Sequence, residues 1–244
     1  MIDTRLLQQY AAEYGLTVDD ATAKRFDRYA ELLVEWNQKM NLTAITDPVD
    51  IVLKHFTDCL TAVPLLPETK GISLIDVGTG AGFPGVPLAI FRPDVRVTLL
   101  DSLNKRLIFL QNVCDELGLQ ATLVHARAEE GGRRADLRER FDVATARAVA
   151  ALPTLCEYCL PFVKVGGRFV AMKGPDSDVE RQEAAAAIRL LGGHVSGVQT
   201  ISLPAQPHDG IEQQERRLFV IEKKAATPSR FPRQSAKIAK EPLR

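Results

Sequence analysis

The chain has 244 residues, 45% of them hydrophobic and 25% charged, and its 31 basic and 31 acidic side chains cancel to a formal net charge of zero. That is enough chain for one large or two smaller domains around a substantial core. No apolar run approaches the length of a membrane-spanning helix, and residues 1–14 mix charges into a short amphipathic pattern rather than a secretion signal, so a soluble cytoplasmic protein with no membrane partner is expected.

Thr17 and Asp20, three residues apart, make a capping-box start for a helix whose stripe of Phe26, Ala30, Leu33, Val34 and Asn37 runs to about Lys39. A second helix is predicted from about Val49 to Leu60 and stops before Pro64. Between them, Asn41 and Thr43 read as capping and turning residues and Trp36 as a core anchor.

From residue 72 the pattern repeats strand, turn, helix. The run Ile72 to Val77 is too short for a helix and breaks into Gly78-Thr79-Gly80-Ala81-Gly82-Phe83-Pro84-Gly85. It reads as a buried strand with Asp76 near its carboxyl end, followed by a glycine turn that opens a helix with Pro84 in its first turn. Such a turn presents free amide donors to a nucleotide-like ligand, which Gly78 and Gly80 would approach closely. Counted from Gly78, the dinucleotide fingerprint G-x-G-x-x-G fails at Phe83, but Gly80, Gly82 and Gly85 satisfy it, so spacing alone leaves a nicotinamide-dependent oxidoreductase open. Asp76 weighs the other way. Its carboxylate repels a pyrophosphate and suits a ligand with an ammonium group and no phosphate, such as S-adenosylmethionine.

A second strand, Val95 to Leu100, ends at Asp101, 19 residues past Gly82, the spacing at which an acid grips ribose hydroxyls. Leu103, Leu107, Leu110, Cys114 and Leu117 then mark a helix closed by Gly118. Ala121 to Val124 is a third strand leading to Ala128 and Glu129, and Phe141 to Ala146 a fourth leading to Arg147, whose small apolar neighbours leave it the one strong donor of its segment. In the helix 151–163, Cys156 and Cys159 have metal-site spacing but share a stripe with Leu152 and Leu155, and no second pair exists. They read as buried thiols, and no metal is expected. The strand Arg168 to Met172 ends at Lys173, Ser177 with Glu180 reads as a second capping box, and Gly192-Gly193 stops that helix. Val195 to Leu203 and Arg217 to Glu222 follow with only a polar loop of Pro204, Pro207 and Gly210 between them, so an antiparallel pair closes an otherwise parallel sheet. Residues 223–244 hold seven basic residues against Glu241 alone, a net of +6 that leaves −6 on the remainder. With prolines between them and no apolar period, they read as a solvated tail that touches a polyanion.

Several of these motifs fall into one combination. Asp76 to Gly85, Leu100-Asp101-Ser102 with Lys105-Arg106, Ala146-Arg147-Ala148 and Met172-Lys173-Gly174 are joined by Trp36-Asn37, Asn41-Leu42-Thr43 and Lys54-His55 with Asp58. Together, over nearly the whole chain, they resemble the bacterial family of small-subunit ribosomal RNA guanine-N7 methyltransferases, also called glucose-inhibited division protein B. The resemblance implies an α/β fold, a class I S-adenosylmethionine-dependent methyltransferase with a Rossmann-like, mostly parallel seven-stranded sheet and an antiparallel end strand. It implies methylation of N7 of a guanosine in the 530 loop of 16S ribosomal RNA (guanosine 527 in the usual bacterial numbering), on the RNA or a small-subunit precursor, by a monomer. A methyltransferase acting on a small molecule or protein is the alternative. The chain divides into an N-terminal helical extension (1–68), the methyltransferase domain (69–224) and the basic tail (225–244).

Carried over by position, the resemblance gives Asp76, Gly78, Gly80, Phe83, Asp101, Ala128, Glu129 and Arg147 to the cofactor, with the methionine end near Gly78 and Phe83, the ribose at Asp101 and the adenine at Ala128 and Glu129. Lys54, His55, Lys173, Arg230 and Arg233 fall to RNA, and Arg147 and Lys173 position the reactants. Two positions depart from the family pattern: Cys59 stands where serine is usual, and Pro232-Arg233-Gln234-Ser235-Ala236 replaces Pro-Arg-Lys-Pro-Gly.

Overall fold

The computed structural model describes residues 1–204 and 214–243. Its strands are β1 (Ser73–Val77), β2 (Arg96–Asp101), β3 (Ala121–His125), β4 (Phe141–Arg147), β5 (Val163–Lys173), β6 (Gly193–Leu203) and β7 (Gln214–Lys223). They form one sheet in the order β3-β2-β1-β4-β5-β7-β6. β1 to β5 run parallel, and β7 runs antiparallel to both β5 and β6, as the missing helix between the last two strands predicts. The central strands are apolar almost throughout because helices cover both faces. The chain winds outward from β1 to β3 and then returns to place β4 on the other side of β1, so a crevice opens at the carboxyl ends of β1 and β4.

The helices are α1 (Thr4–Glu13), α2 (Asp20–Asn37), α3 (residues 48–60), α4 (Gly85–Phe91), α5 (Asn104–Leu117), α6 (Ala128–Gly131), α7 (Leu152–Cys159), α8 (Asp178–Leu190) and α9 (Ser235–Lys240). The N-terminal helices share one hydrophobic cluster with α4 and α5, in which Phe26, Tyr29 and Phe56 are fully buried. α7 and α8 cover the opposite face of the sheet, and all four cysteines are buried.

Several local expectations change. α1 was not foreseen: Asp3 caps it by accepting from the amides of Arg5 and Leu6, and Leu7, Tyr10 and Ala11 are buried beneath it. Asp19, not Thr17, caps α2, accepting from Thr22 N at 2.7 Å. The turn after α2 is made by Asn37 instead of Asn41, because the Asn37 amide can serve Leu42 N, Thr43 N and Thr43 O together. Most of α3, Ile51–Thr57, is a π-helix, a form often found at functional sites. Pro84 stands just before α4, outside its first turn. Ser177 caps no helix: its hydroxyl donates to Gly174 O, and Glu180 instead accepts from Leu152 N. Pro207 and Gly210 lie outside the described residues.

The largest correction concerns the basic end, which folds back onto the core. Lys223 is fully buried; its ammonium donates to Leu160 O and Thr227 Oγ1 and pairs with Glu139 at 3.2 Å. Arg138 holds the carbonyls of Thr227, Pro228 and Phe231. Phe231 and Ile238 insert their side chains into the interior. Two apolar anchors among prolines make no period, which is why the sequence pattern concealed them.

Candidate active site

The glycine turn at the crevice is self-contained. Gly78, Gly80 and Gly82 take φ of +72°, +61° and +104°, and this folds the loop back on β2. The amides of Gly78 and Thr79 donate to Leu100 O, that of Gly80 to Asp101 Oδ2, those of Gly82 and Phe83 to Thr79 O, and that of Gly85 to Asp76 Oδ2. The expected free amide donors are therefore spent inside the protein, and a pyrophosphate would find no cradle of N–H groups. A Cβ on Gly78 would lie 2.8 Å from Val149 Cγ2, whereas at Gly80 the nearest atom is 4.0 Å away; crowding demands glycine at the first position and backbone conformation at the second. Asp76 is fully buried and accepts from Thr79 Oγ1 at 2.7 Å. Burial pushes its carboxyl up to about 6, against the hydrogen bonds from Thr79 and Gly85 that lower it. Its second oxygen, Oδ1, has no hydrogen-bond partner among the described residues.

Beside this turn lies a cavity of about 320 Å³ lined by Gly78, Asp101, Ala128, Glu129, Tyr158 and Ser235, among others. Asp101 and Glu129 are both buried. Asp101 is oriented by Leu103 N at 2.8 Å and Gly80 N at 2.9 Å, with Arg106 at 3.3 Å. Asp76, Gly80 and Phe83 do not line it, and Arg147 belongs to a neighbouring cavity.

That second cavity, about 540 Å³, is lined by Lys54, His55 and Asp58 of α3, Arg147 at the end of β4, Met172 and Lys173 at the end of β5, and Gln214 and Arg216 of β7. Ala148 lines both cavities. It holds φ at +56°, a left-handed conformation uncommon for a residue with a side chain, in the place where strain collects at functional sites. Arg147 is fixed from every side. Nη1 donates to Lys54 O at 3.0 Å and to Asp58 Oδ2 at 2.8 Å, Nη2 lies 3.1 Å from His55 Nδ1, and the guanidinium sits 4.8 Å from the centre of the Phe83 ring. Phe83 in turn stacks on His55 at 4.2 Å. The π-helical turn supplies the Lys54 carbonyl, and Arg216 approaches the other oxygen of Asp58 at 3.3 Å.

Four residues expected to hold RNA charges are committed inward. His55 is buried; Arg147 donates to its Nδ1, which leaves Nε2–H to donate to Thr43 Oγ1 at 2.9 Å. Desolvation, helped by the Arg147 charge, pulls its pKa down to about 3, so His55 is neutral and carries no charge to a phosphate. Lys173 binds Ala150 O and Glu180, both at 2.9 Å, and Lys54 pairs with Asp50 at 3.1 Å. Arg233 forks onto Glu157. Arg230, with its guanidinium over the Phe231 ring, keeps a surface position.

The depressed pKa of His55 has a stability consequence. The folded protein binds fewer protons than the unfolded chain between about pH 6.5 and 3, so the contribution is fully present above 6.5 and is lost as pH falls through that window. About 3 kcal/mol should disappear between pH 6.5 and 4. Denaturant unfolding across that range should show the loss, and His55→Gln should flatten it; equal slopes would mean that the imidazole titrates freely.

The strand order, the glycine turn and the carboxylates at the ends of β2 and β3 define a class I methyltransferase fold. Solved structures agree: a putative methyltransferase from Bacillus halodurans superimposes with a TM-score of 0.52 at 15% identity, over 69% of this chain and 100% of that one. TrmN from Thermus thermophilus gives 0.51 at 18% identity, over 70% of this chain and 53% of its own. Residues 22–208 match the family described as GidB, rRNA small subunit methyltransferase G. Proteins named ribosomal RNA small subunit methyltransferase G from Acetivibrio thermocellus and Exiguobacterium sibiricum are 48% and 47% identical, covering 98% and 95% of this chain and 96% and 95% of their own lengths. The chain belongs to this family.

S-adenosylmethionine is the cofactor of such enzymes, and the first cavity fits it. Asp101 and Glu129 supply buried acceptors for hydroxyl and amino groups, and the turn offers nothing to a phosphate. Asp101→Ala should weaken cofactor binding by about 1.5–3 kcal/mol, the value of charge-assisted hydrogen bonds. An unchanged dissociation constant in calorimetry would move the ribose elsewhere.

Proposed function

We propose that this protein transfers the methyl group of S-adenosylmethionine to N7 of a guanosine in the 530 loop of 16S ribosomal RNA, guanosine 527 in the usual bacterial numbering. Within this reading it works as a monomer in the cytoplasm, on naked 16S RNA or a small-subunit precursor. The observation that carries the proposal, beside the family, is the pair of cavities that meet at Ala148, the first lined by buried carboxylates and the second by Lys54, Arg147, Lys173 and Arg216 around Asp58.

The bound cofactor supplies an electrophilic methyl group. Guanine N7 has an in-plane lone pair and no proton, so its attack needs no general base, and the wall of the second cavity matches that economy. Both ring nitrogens of His55 are engaged, and Arg147 is a permanent cation that pairs with Asp58. What these residues do is position. Arg147 fixes α3 against the end of β4, and Lys173 fixes Ala150, two residues beyond the shared Ala148. Alignment of this kind supplies most of the acceleration for a direct displacement. The carboxylate of Asp58 holds Arg147 and Arg216 in that wall.

The test is to incubate the protein and cofactor with unmethylated small subunits or naked 16S RNA and to map the methylated base. Label at N7 of the single guanosine is the expected result. Label elsewhere in the RNA would overturn the target, and label confined to a protein or a small molecule would favour the alternative substrate classes.

A further inference from the structure

The C-terminal segment contributes to the cofactor cavity from the side farthest in sequence from the glycine turn. Ser235, in the first turn of α9, and Tyr158 of α7 line that cavity together with Ala128 and Glu129. Outside this wall lies a groove bounded by Arg127, Glu130 and Arg133 and by residues 233–236. Arg127, Glu129 and Ser235 line both spaces, so the segment and the start of α6 together stand between the cavity and the groove.

A clasp holds the segment in place. Glu157 is fully buried and accepts from Arg233 N at 2.8 Å, from Arg233 Nε at 2.9 Å and from Arg233 Nη2 at 2.7 Å. Arg233 Nη2 also reaches Glu241 O at 2.9 Å, so one guanidinium ties both ends of α9 to α7. Ile238 is fully buried, and Pro232 packs so close to α6 that a Cβ on Gly132 would come within 3.2 Å of its ring. A bidentate charge-assisted pair on a fully buried carboxylate fixes orientation as well as distance, which is what a binding wall requires.

We infer that residues 229–243 form the wall at the adenine end of the cofactor site, with Ser235 as a contact residue and Arg233–Glu157 as the pair that positions it. The inference rests on the cofactor reading above. It also reverses what a solvated tail would predict, since loss of the segment should weaken cofactor binding as well as any contact with RNA.

Ser235→Leu places a branched apolar group in the cavity wall and leaves the clasp intact. In calorimetry, its dissociation constants for S-adenosylmethionine and S-adenosylhomocysteine should rise about tenfold, with the KM for cofactor rising more than kcat falls and the thermal midpoint unchanged. A second protein that ends after Gln234 keeps Arg233 and Glu157 and should show a similar loss. Arg233→Lys retains the charge without the fork and should lose affinity while Glu157 stays paired. Wild-type cofactor affinity in both the leucine variant and the truncated protein would overturn the inference, as would a rise confined to the KM for RNA. If the full-length protein itself fails to bind S-adenosylmethionine, it is the cofactor reading that fails.

Discussion

Arg147→Ala should lower methyl transfer by about 10²–10³-fold and unfolding stability by about 3 kcal/mol at the same time. Small apolar neighbours in the sequence point to a large activity loss from this change with little cost in stability, and the geometry changes that balance. Only 15% of the side chain is exposed, and it serves Lys54 O, Asp58 and His55 at once. Removing it leaves the buried Asp58 carboxylate, among the described residues, to Arg216 at 3.3 Å, and leaves the Lys54 carbonyl without this donor. Breaking one partner of a buried pair typically costs about 3–5 kcal/mol, and the remaining Arg216 places the expectation at the lower end. Activity falls further because α3, Phe83 and the end of β4 lose the group that fixes their spacing, and a displacement of about 1 Å in reactant positions can cost about 10²-fold. Arg147→Lys should recover part of the stability and little of the activity, since an ammonium cannot span three acceptors with a planar fork. The measurements are single-turnover rates at saturating cofactor and denaturant unfolding. Wild-type rates in a destabilised Arg147→Ala protein would make the network purely structural.

The sheet was legible because parallel strands buried on both faces leave short apolar runs, and the glycines after β1 mark a turn that few other structures require. Asp101, Ala128 and Glu129 could be placed for the same reason: each follows directly from a strand end. Residues whose role depends on distant partners were not legible. Arg216 and Gln214 lie at the start of an antiparallel strand, where polar side chains look like a solvent face, and nothing local tells that this part of β7, paired with β6 beyond the end of β5, borders the cavity beside α3. Ser235 and Tyr158 meet only because Phe231, Ile238 and the Glu157 clasp fold the end of the chain back. Charge was the most misleading signal. Lys223 and Arg233 counted as tail cations in the composition, yet both are consumed by buried partners. His55, read from the sequence as an RNA contact, is held neutral by burial and by Arg147.

Gly78→Val should reduce affinity for S-adenosylmethionine by about a thousandfold or more while the protein remains folded. The sequence suggested that Gly78 and Gly80 were alike in needing no side chain, and the structure separates them. At Gly78 the new Cβ would fall 2.8 Å from Val149 Cγ2 on a backbone at φ +72°, where a β-branched residue pays about 1–2 kcal/mol or more before any contact is counted. The loop cannot slide away, because the Gly78 amide is held by Leu100 O at 2.8 Å on the neighbouring strand. Val149 is partly exposed and can yield, which confines the damage to the site and spares the fold. Both Gly78 and Val149 line the 320 Å³ cavity, so the added side chain and the displaced one take up the volume the cofactor needs. Gly80→Ala is the control. Its Cβ meets nothing closer than 4.0 Å, so only backbone strain at φ +61° remains, and a loss of about tenfold or less is expected. Calorimetric titration with near-ultraviolet circular dichroism as a check on folding would distinguish the two. Affinities for Gly78→Val and Gly80→Ala that fall together would mean that loop strain, not occupancy of the cavity, limits binding, and an unchanged affinity in both would place the cofactor outside this crevice.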